Sequence, residues 1–327
     1  MKIYRDEDAD TASLSGKIIG IIGYGNQGSA QARCLRDSGV SVVVGVREGG
    51  LSFKRADNDR MTVMSIREAA EKSDIVCMLV PDMVQREVYE RHVAKALSPG
   101  KALYFSHGFS ITYGLIRPPR NIDVFMLAPK ATGSRLREAY LHEEGVPALL
   151  AVHQDSTGEA RRLALAMAKA MRFTRKGVFE CTFAQETHAN LFAEQAVTIG
   201  GLASLVKAGF ETMLERGIPP ELAYFECVSV TRLMAEMLER EGLRRTLEGV
   251  SRTAGYGAVT RGERVVGQKA RKEMMEIFDE IRSGAFTREW LAEYESGMRR
   301  FESLKKAEGE HPLEKVGARL RKLLIEE

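Results

Sequence analysis

The sequence predicts an α/β protein in which a doubly wound parallel sheet of the Rossmann type precedes an all-helical region. Three observations carry this expectation. Short runs rich in Ile and Val alternate with helical periodicities up to about Glu180, the pattern of consecutive βαβ units. Gly23, Gly25 and Gly28 follow the first of those runs in G-x-G-x-x-G order and open the first helix. Past Glu180 strand signals almost vanish and long helical periods dominate, which puts a boundary near Thr182 and divides the chain into 1–182 and 183–327.

The first strand, Ile18, Ile19, Gly20, Ile21 and Ile22, is short, apolar and mostly β-branched, as suits a central parallel strand covered on both faces. The turn after it has a physical purpose. Its first glycine permits the tight bend, its second lets backbone approach a pyrophosphate, and its third lets helix and strand pack closely. The helix opening near Asn26 directs its N–H groups and positive dipole end at the phosphates. Gly23, Tyr24, Gly25, Asn26, Gln27 and Gly28 are therefore the candidate cofactor turn. The alternative is a glycine-rich turn with no ligand.

The next strand, 40–46, bears on which dinucleotide fits. An NAD site usually carries Asp or Glu about 20 residues past the glycines, where it accepts from the ribose 2'-hydroxyl. Here the strand runs out at Arg47, with Ser52, Lys54 and Arg55 in what reads as the same loop. Arg and Ser pair with a 2'-phosphate that a carboxylate would repel, so NADPH is favoured over NADH. A merely solvated basic loop is the competing reading, and Glu48 beside Arg47 keeps it open.

Further along, 65–72 reads as a helix, 75–80 as a buried strand, 84–97 as helical and 102–105 as a strand ending at Ser106-His107-Gly108. Strands at 123–127 and 147–153 follow, the former ending at Ala128-Pro129-Lys130. In such sheets ligands bind beyond the carboxyl ends of the strands, which is where His107 and Lys130 fall. The later helices are expected at 186–216, 219–241, 268–282, 287–306 and 312–326. Pro219-Pro220 suits a helix N-terminus, where a missing N–H costs little.

Composition narrows the class of function. A net charge of +3 from 48 basic and 45 acidic side chains gives no reason to expect nucleic acid or a membrane surface as partner. Four scattered cysteines without a C-x-x-C pair read as reduced core thiols of a cytoplasmic protein. The opening MKIYRDEDADTASLSG has no apolar h-region, so no signal peptide is expected. The apolar stretch 191–214 carries Glu194, Lys207 and Glu211, and its uninterrupted core is too short to span a bilayer, so it is expected to be a buried helix.

The motifs GYGNQG at 23–28, FSHGF at 105–109, APK at 128–130, GVPALLAVHQD at 145–155, LFAEQAV at 191–197, PPELAYFEC at 219–227 and EHPLEKVG at 310–317 run along nearly the whole chain. Together they resemble the ketol-acid reductoisomerase family in its short, class I form. That resemblance implies an N-terminal domain that binds NADPH and a knotted, all-helical C-terminal domain that dimerises and holds two magnesium ions. It implies a homo-oligomer, at least a dimer, acting on a small carboxylic acid. It also implies that His107 lies close to the nicotinamide, that Lys130 neighbours the metal and substrate, that Gly133 belongs to the cofactor site, and that Ser251 reaches the substrate carboxylate from the partner subunit. Ser251 reads equally well as a helix cap.

Magnesium needs charged oxygen ligands, and two cations about 3.5 to 4 Å apart can polarise both oxygens of an alkyl migration. The family supplies them as two carboxylate pairs at i, i+4 spacing. The corresponding residues here are Asn190, Glu194, Glu226 and Val230, so two of four carboxylates remain. Nearby, His188, Ser229 and Gly255 stand where the family has Glu, His and Glu, and Ala131-Thr132 replaces Gly-Pro. His188 is expected to be a surface or packing residue, since it lies two residues from Asn190 on another helical face. Three readings stay open: a reductoisomerase with an altered metal site, a metal-independent keto or imino acid reductase, and a non-catalytic NADPH-binding paralogue. In the first two the catalytic residues are His107, Lys130, Glu194 and Glu226.

Overall fold

The structure is a computed structural model in which residues 1–325 are described. Two compact units are present, Met1–Thr187 and His188–Glu327.

In the first unit, nine strands among the described residues form one sheet: β1 (Ile3–Tyr4), β2 (Ile18–Ile22), β3 (Ser41–Gly45), β4 (Thr62–Met64), β5 (Ile75–Met78), β6 (Ala102–Phe105), β7 (Asp123–Pro129), β8 (Ala148–Gln154) and β9 (Val178–Glu180). Their order is β1-β9-β8-β7-β6-β5-β2-β3-β4, with β2 pairing parallel to both β3 and β5. The side-chain period of two explains why the central strands read as continuous apolar runs. Ile75 and Cys77 of β5 and Tyr104 of β6 face one core, while Val76, Met78 and Phe105 face the other. Each core is completed by helices. The first takes α1 (Asn26–Asp37), through Ala30, Cys34 and Leu35. The second takes Ile66, Ala69 and Ala70 of the helix Ile66–Lys72, which Ser65 and Glu68 start with a capping box.

The doubly wound parallel sheet is present as expected, with two antiparallel pairings, β8 against β7 and β1 against β9. The backbone N–H of Lys130 donates to Pro147 O at 2.9 Å, so the chain re-enters the sheet at the end where it left, and β8 must run back. One expectation about this unit is corrected. Ser52, Lys54 and Arg55 lie in no loop; they belong to the helix Leu51–Asn58, capped by Gly50. Eight mostly polar residues on the surface carry too short an apolar stripe for periodicity to reveal them.

In the second unit the segment Phe183–Phe192, which begins in the first, continues through a π turn at Ala193–Thr198 into Gly200–Glu215. Pro220–Tyr224, with Pro219 at its N-cap, leads through a second π turn at Phe225–Ser229 into Val230–Gly249, which breaks at Gly242 (φ 78°), next to the helix end expected at 241. The helix Arg252–Val265 was not anticipated, whereas Gln268–Arg282 was. The single helix expected at 287–306 is two, Ala285–Glu295 and Arg299–Glu310, because Gly297 and Met298 take left-handed φ values of 87° and 60° between them. Pro312–Ile325 follows, and the expected end of that helix at residue 326 lies outside the described residues.

The core of this unit is small, centred on Phe210, Ala223, Tyr224 and Leu320. The helical run Phe183–Glu215 is long and apolar enough, by length and composition, to cross a membrane, yet it is not the buried helix expected. Ile199 and Leu205 are exposed, because within the unit only the Phe210 side of the helix is covered.

Candidate active site

The carboxyl ends of β2, β3 and β5 surround a cleft of about 730 Å³. Gly23 makes the bend at φ +98°, and a Cβ there would lie 2.7 Å from Val80 Cγ1 and 2.8 Å from Leu79 O. A Cβ at Gly28 would meet Gly23 O at 2.3 Å, so only glycine allows α1 to sit this close. Gly25 differs from both: a Cβ there would meet nothing within 4 Å, and the residue lines the cleft. Its backbone thus faces open space, beside a helix start that no side chain caps. Those first N–H groups are available to an anion.

The other predicted cofactor residues are distributed around this turn. Arg47 and Ser52 line the same cleft, Ser52 in the first turn of its helix. Tyr24 lines it too, but its hydroxyl donates to Asp59 at 2.8 Å, and burial followed by that bond pushes the phenol pKa up. Gly133 begins the helix Gly133–Leu141, and a Cβ on it would lie 2.1 Å from Asn26 O. Gln27 Nε2 donates to Ala131 O at 2.9 Å. The residues 131–133 are therefore packed directly on the cofactor turn. A dinucleotide fits this site by the open face of Gly25, the unpaired helix start and the basic rim.

Beyond β6 and β7 the structure brings His107 and Lys130 onto one residue that sequence reasoning missed. Glu186 Oε2 accepts from the Gly108 N–H at 3.0 Å and lies 3.0 Å from His107 Nδ1, while Lys130 Nζ donates to Oε1 at 3.3 Å. Its side chain is 2% exposed, against 20% for His107 and 38% for Lys130. Burial pushes the Glu186 carboxyl up, but the His107 bond, the charges of His107 and Lys130 and the Gly108 N–H outweigh it and hold the pKa below its ordinary value. An ionised Glu186 accepts only, so His107 carries its proton on Nδ1. A local signal for Glu186 existed: it precedes Asn190 and Glu194 at steps of four along one helical stretch.

The remaining candidates lie in the second unit. Glu194 and Glu226 both fall inside π turns, a local widening that recurs at functional sites. Asn190 Nδ2 donates to Glu194 Oε1 at 3.2 Å. Ser251 caps Arg252–Val265, its Oγ accepting from the Ala254 N–H at 3.1 Å. The His188 ring packs edge-on against Phe278, with centroids 6.4 Å apart.

The donor set does not suit a two-magnesium centre. Asn190 offers a neutral amide already turned toward Glu194, and Val230 has no donor atom. Among the described residues no group of three or more His, Cys, Asp or Glu could hold a metal.

Two family models match successive parts of the chain. Residues 13–177 match the family model described as acetohydroxy acid isomeroreductase, NADPH-binding domain, and residues 183–326 match ketol-acid reductoisomerase, C-terminal domain. The chain is 49% identical over 323 residues to the ketol-acid reductoisomerase (NADP(+)) of Methanopyrus kandleri, covering 99% of this chain and 98% of that one. It is 46% identical, over the whole of both chains, to the ketol-acid reductoisomerase (NAD(+)) of uncultured archaeon GZfos26G2. A solved NADH-preferring ketol-acid reductoisomerase from an uncultured archaeon superposes with a TM-score of 0.95 at 46% identity, covering 99% of each chain.

Proposed function

The chain belongs to the ketol-acid reductoisomerase family, and from that premise we propose that it is an NADPH-dependent reductase of a small 2-keto acid that has lost the alkyl-migration step. The observation that carries this reading is the presence of Asn190 and Val230 at two positions where the migration needs carboxylates. Metal stabilisation of migrating charge is worth several kcal/mol, and each 1.36 kcal/mol is about tenfold in rate.

The parts that reduction needs are kept. NADPH, held at the turn Gly23–Gly28 with Arg47 and Ser52 at its rim, would supply the hydride for reduction of the substrate carbonyl. Lys130 polarises the carbonyl oxygen, and a proton reaches the alkoxide from its ammonium or by relay through Glu194 or Glu226. Glu186 holds His107 and Lys130 in orientation and balances the charge of Lys130. Arg47 and Ser52 favour the 2'-phosphate, a preference the family does not fix, since its relatives include both NADP and NAD forms. Ser251 of the partner subunit is proposed to reach the substrate carboxylate, its hydroxyl also serving as the cap of its own helix. The exposed apolar side chains of the helical unit, Ile199 and Leu205 among them, support a homo-oligomer, at least a dimer, and the reading includes a cytoplasmic location.

The test follows NADPH absorbance with acetolactate and, separately, with the rearranged 3-hydroxy-2-keto acid, each with and without magnesium. Oxidation with the keto acid alone, independent of magnesium, is the expected result. Magnesium-dependent turnover of both substrates would restore the full reductoisomerase, and silence with bound NADPH would overturn catalysis on this substrate class.

A further inference from the structure

We propose that Gln31 and Tyr104 are positioning residues that couple the cofactor turn to the strand ends bearing His107 and Lys130. The inference rests on the reading that those two side chains work at the cofactor.

Both residues are fully buried and carry polar groups, beside a core of mostly apolar side chains. Their hydrogen bonds form one continuous chain. The Tyr104 hydroxyl donates to Gln31 Oε1 at 2.7 Å and lies 3.0 Å from Ser106 Oγ and 3.1 Å from Leu127 O. Gln31 Nε2 donates to Ser106 Oγ at 2.7 Å and to Gln27 Oε1 at 3.2 Å, and Gln27 Nε2 reaches Ala131 O at 2.9 Å. Ser106 immediately precedes His107, Ala131 immediately follows Lys130, and Gln27 lies inside the glycine turn. One buried network thus touches the neighbours of both candidate catalytic residues and the turn that takes the pyrophosphate. Apolar packing would fill this space without fixing a register, whereas directional bonds from fully buried groups do fix one. Misplacing a reacting group by about 1 Å costs on the order of 100-fold in rate.

The experiment compares the full-length protein with Tyr104→Phe and with Gln31→Met/Tyr104→Phe, measuring Tm, NADPH Kd by fluorescence, kcat and KM with the keto acid, and amide hydrogen exchange with and without NADPH. The single change strands buried acceptors and lowers Tm; removing Gln31 as well recovers part of it, because deleting both partners of a buried bond is far milder than deleting one. We expect kcat to stay about 10- to 100-fold low in the double variant, with KM and NADPH Kd little changed. We expect exchange protection on NADPH binding to spread from 23–28 to 104–108 and 129–133 in the natural protein, and in the double variant to be lost at 104–108 while 129–133, which Gln27 reaches directly through Ala131 O, keeps it. Recovery of kcat together with Tm, or unchanged spread of protection, would overturn the proposal. If no keto acid is reduced by the natural protein, the proposed function fails while the exchange comparison still decides the coupling. If the double variant does not fold, Gln31→Met below its Tm, which cuts the link from Gln27 to Ser106, gives the same two readouts.

Discussion

Glu186 Oε2 lies 3.0 Å from His107 Nδ1 across 79 residues of sequence, so a carboxylate at the start of the helical region orients a side chain at the end of a sheet strand. The other oxygen takes Lys130 Nζ at 3.3 Å. Replacing Glu186 with Gln keeps the shape and removes the charge that Lys130 and the His107 Nδ1–H face. We expect Glu186→Gln to lose about 1–3 kcal/mol of stability, as when a buried partner of a charged hydrogen bond is deleted, and to lower kcat while NADPH affinity holds. Thermal denaturation and steady-state kinetics measure the two effects; a variant with natural kcat would remove Glu186 from the working site.

The same pair sets an acid limit. The Glu186 carboxyl titrates below its ordinary 4.5 in the folded chain, so the unfolded chain takes up the proton first as pH falls. Its stabilisation is complete above the unfolded value and is lost as pH drops through the lower folded one. Asp37, bonded to Arg137 and Arg36, and Glu180, bonded to Tyr4 and Arg161, are lowered as well and add in the same window. Tm should therefore fall steeply below about pH 4.5, with a shallower fall for Glu186→Gln. Parallel curves would show that Glu186 contributes no such linkage.

Cofactor choice is testable at the rim of the cleft. If Arg47 and Ser52 meet the 2'-phosphate, Arg47→Ala removes a charge-assisted bond worth about 1.5–3 kcal/mol, roughly 10- to 100-fold in NADPH Kd, and leaves NADH binding nearly unchanged. Ser52→Asp should add repulsion for NADPH alone. Equal effects on both cofactors, measured by fluorescence titration, would return Arg47 to the solvated rim.

How much of this was legible in advance follows from the distance between the residues involved. The glycine turn could be read because Ile18 to Gly28 carry strand, bend and helix start within one contiguous stretch. His107 and Lys130 could be placed because strand ends are where this fold binds ligands. Glu186 escaped because its partners are remote in sequence and its neighbours look like ordinary helix. The edge strands β1 and β4, and β9 beside β1, are two or three residues long, too short for alternation to register. Strand polarity leaves no mark on hydrophobic pattern, so the reversal at β8 was invisible; it depends on where the chain returns after Lys130.

Gly133 gives a test of the packing between the two loops of the site. Its missing Cβ would lie 2.1 Å from Asn26 O, a backbone atom that cannot swing aside. Gly133→Ala must push the start of the helix Gly133–Leu141 off the cofactor turn, at a cost typical of overpacking, about 1–3 kcal/mol. Weaker NADPH binding together with a lower Tm is expected. A fall in Tm alone would separate Gly133 from the cofactor site.

The metal question can be answered without turnover. Two divalent cations bring four positive charges, and Glu194 and Glu226 supply only two carboxylates where four would be needed for neutrality. Restoring the missing pair with Asn190→Asp/Val230→Glu should create affinity for Mn2+, read as loss of the free-ion EPR signal in the full-length protein, where the natural chain leaves that signal nearly intact. The Asn190 amide makes the first change more than an addition of charge, because it also removes the N–H now donated to Glu194. Each single variant should recover less than the pair, since one added carboxylate leaves the second cation short of ligands. Stoichiometric binding of two Mn2+ ions by the natural chain would mean that other oxygens complete the site, and the case for a lost migration step would fall with it.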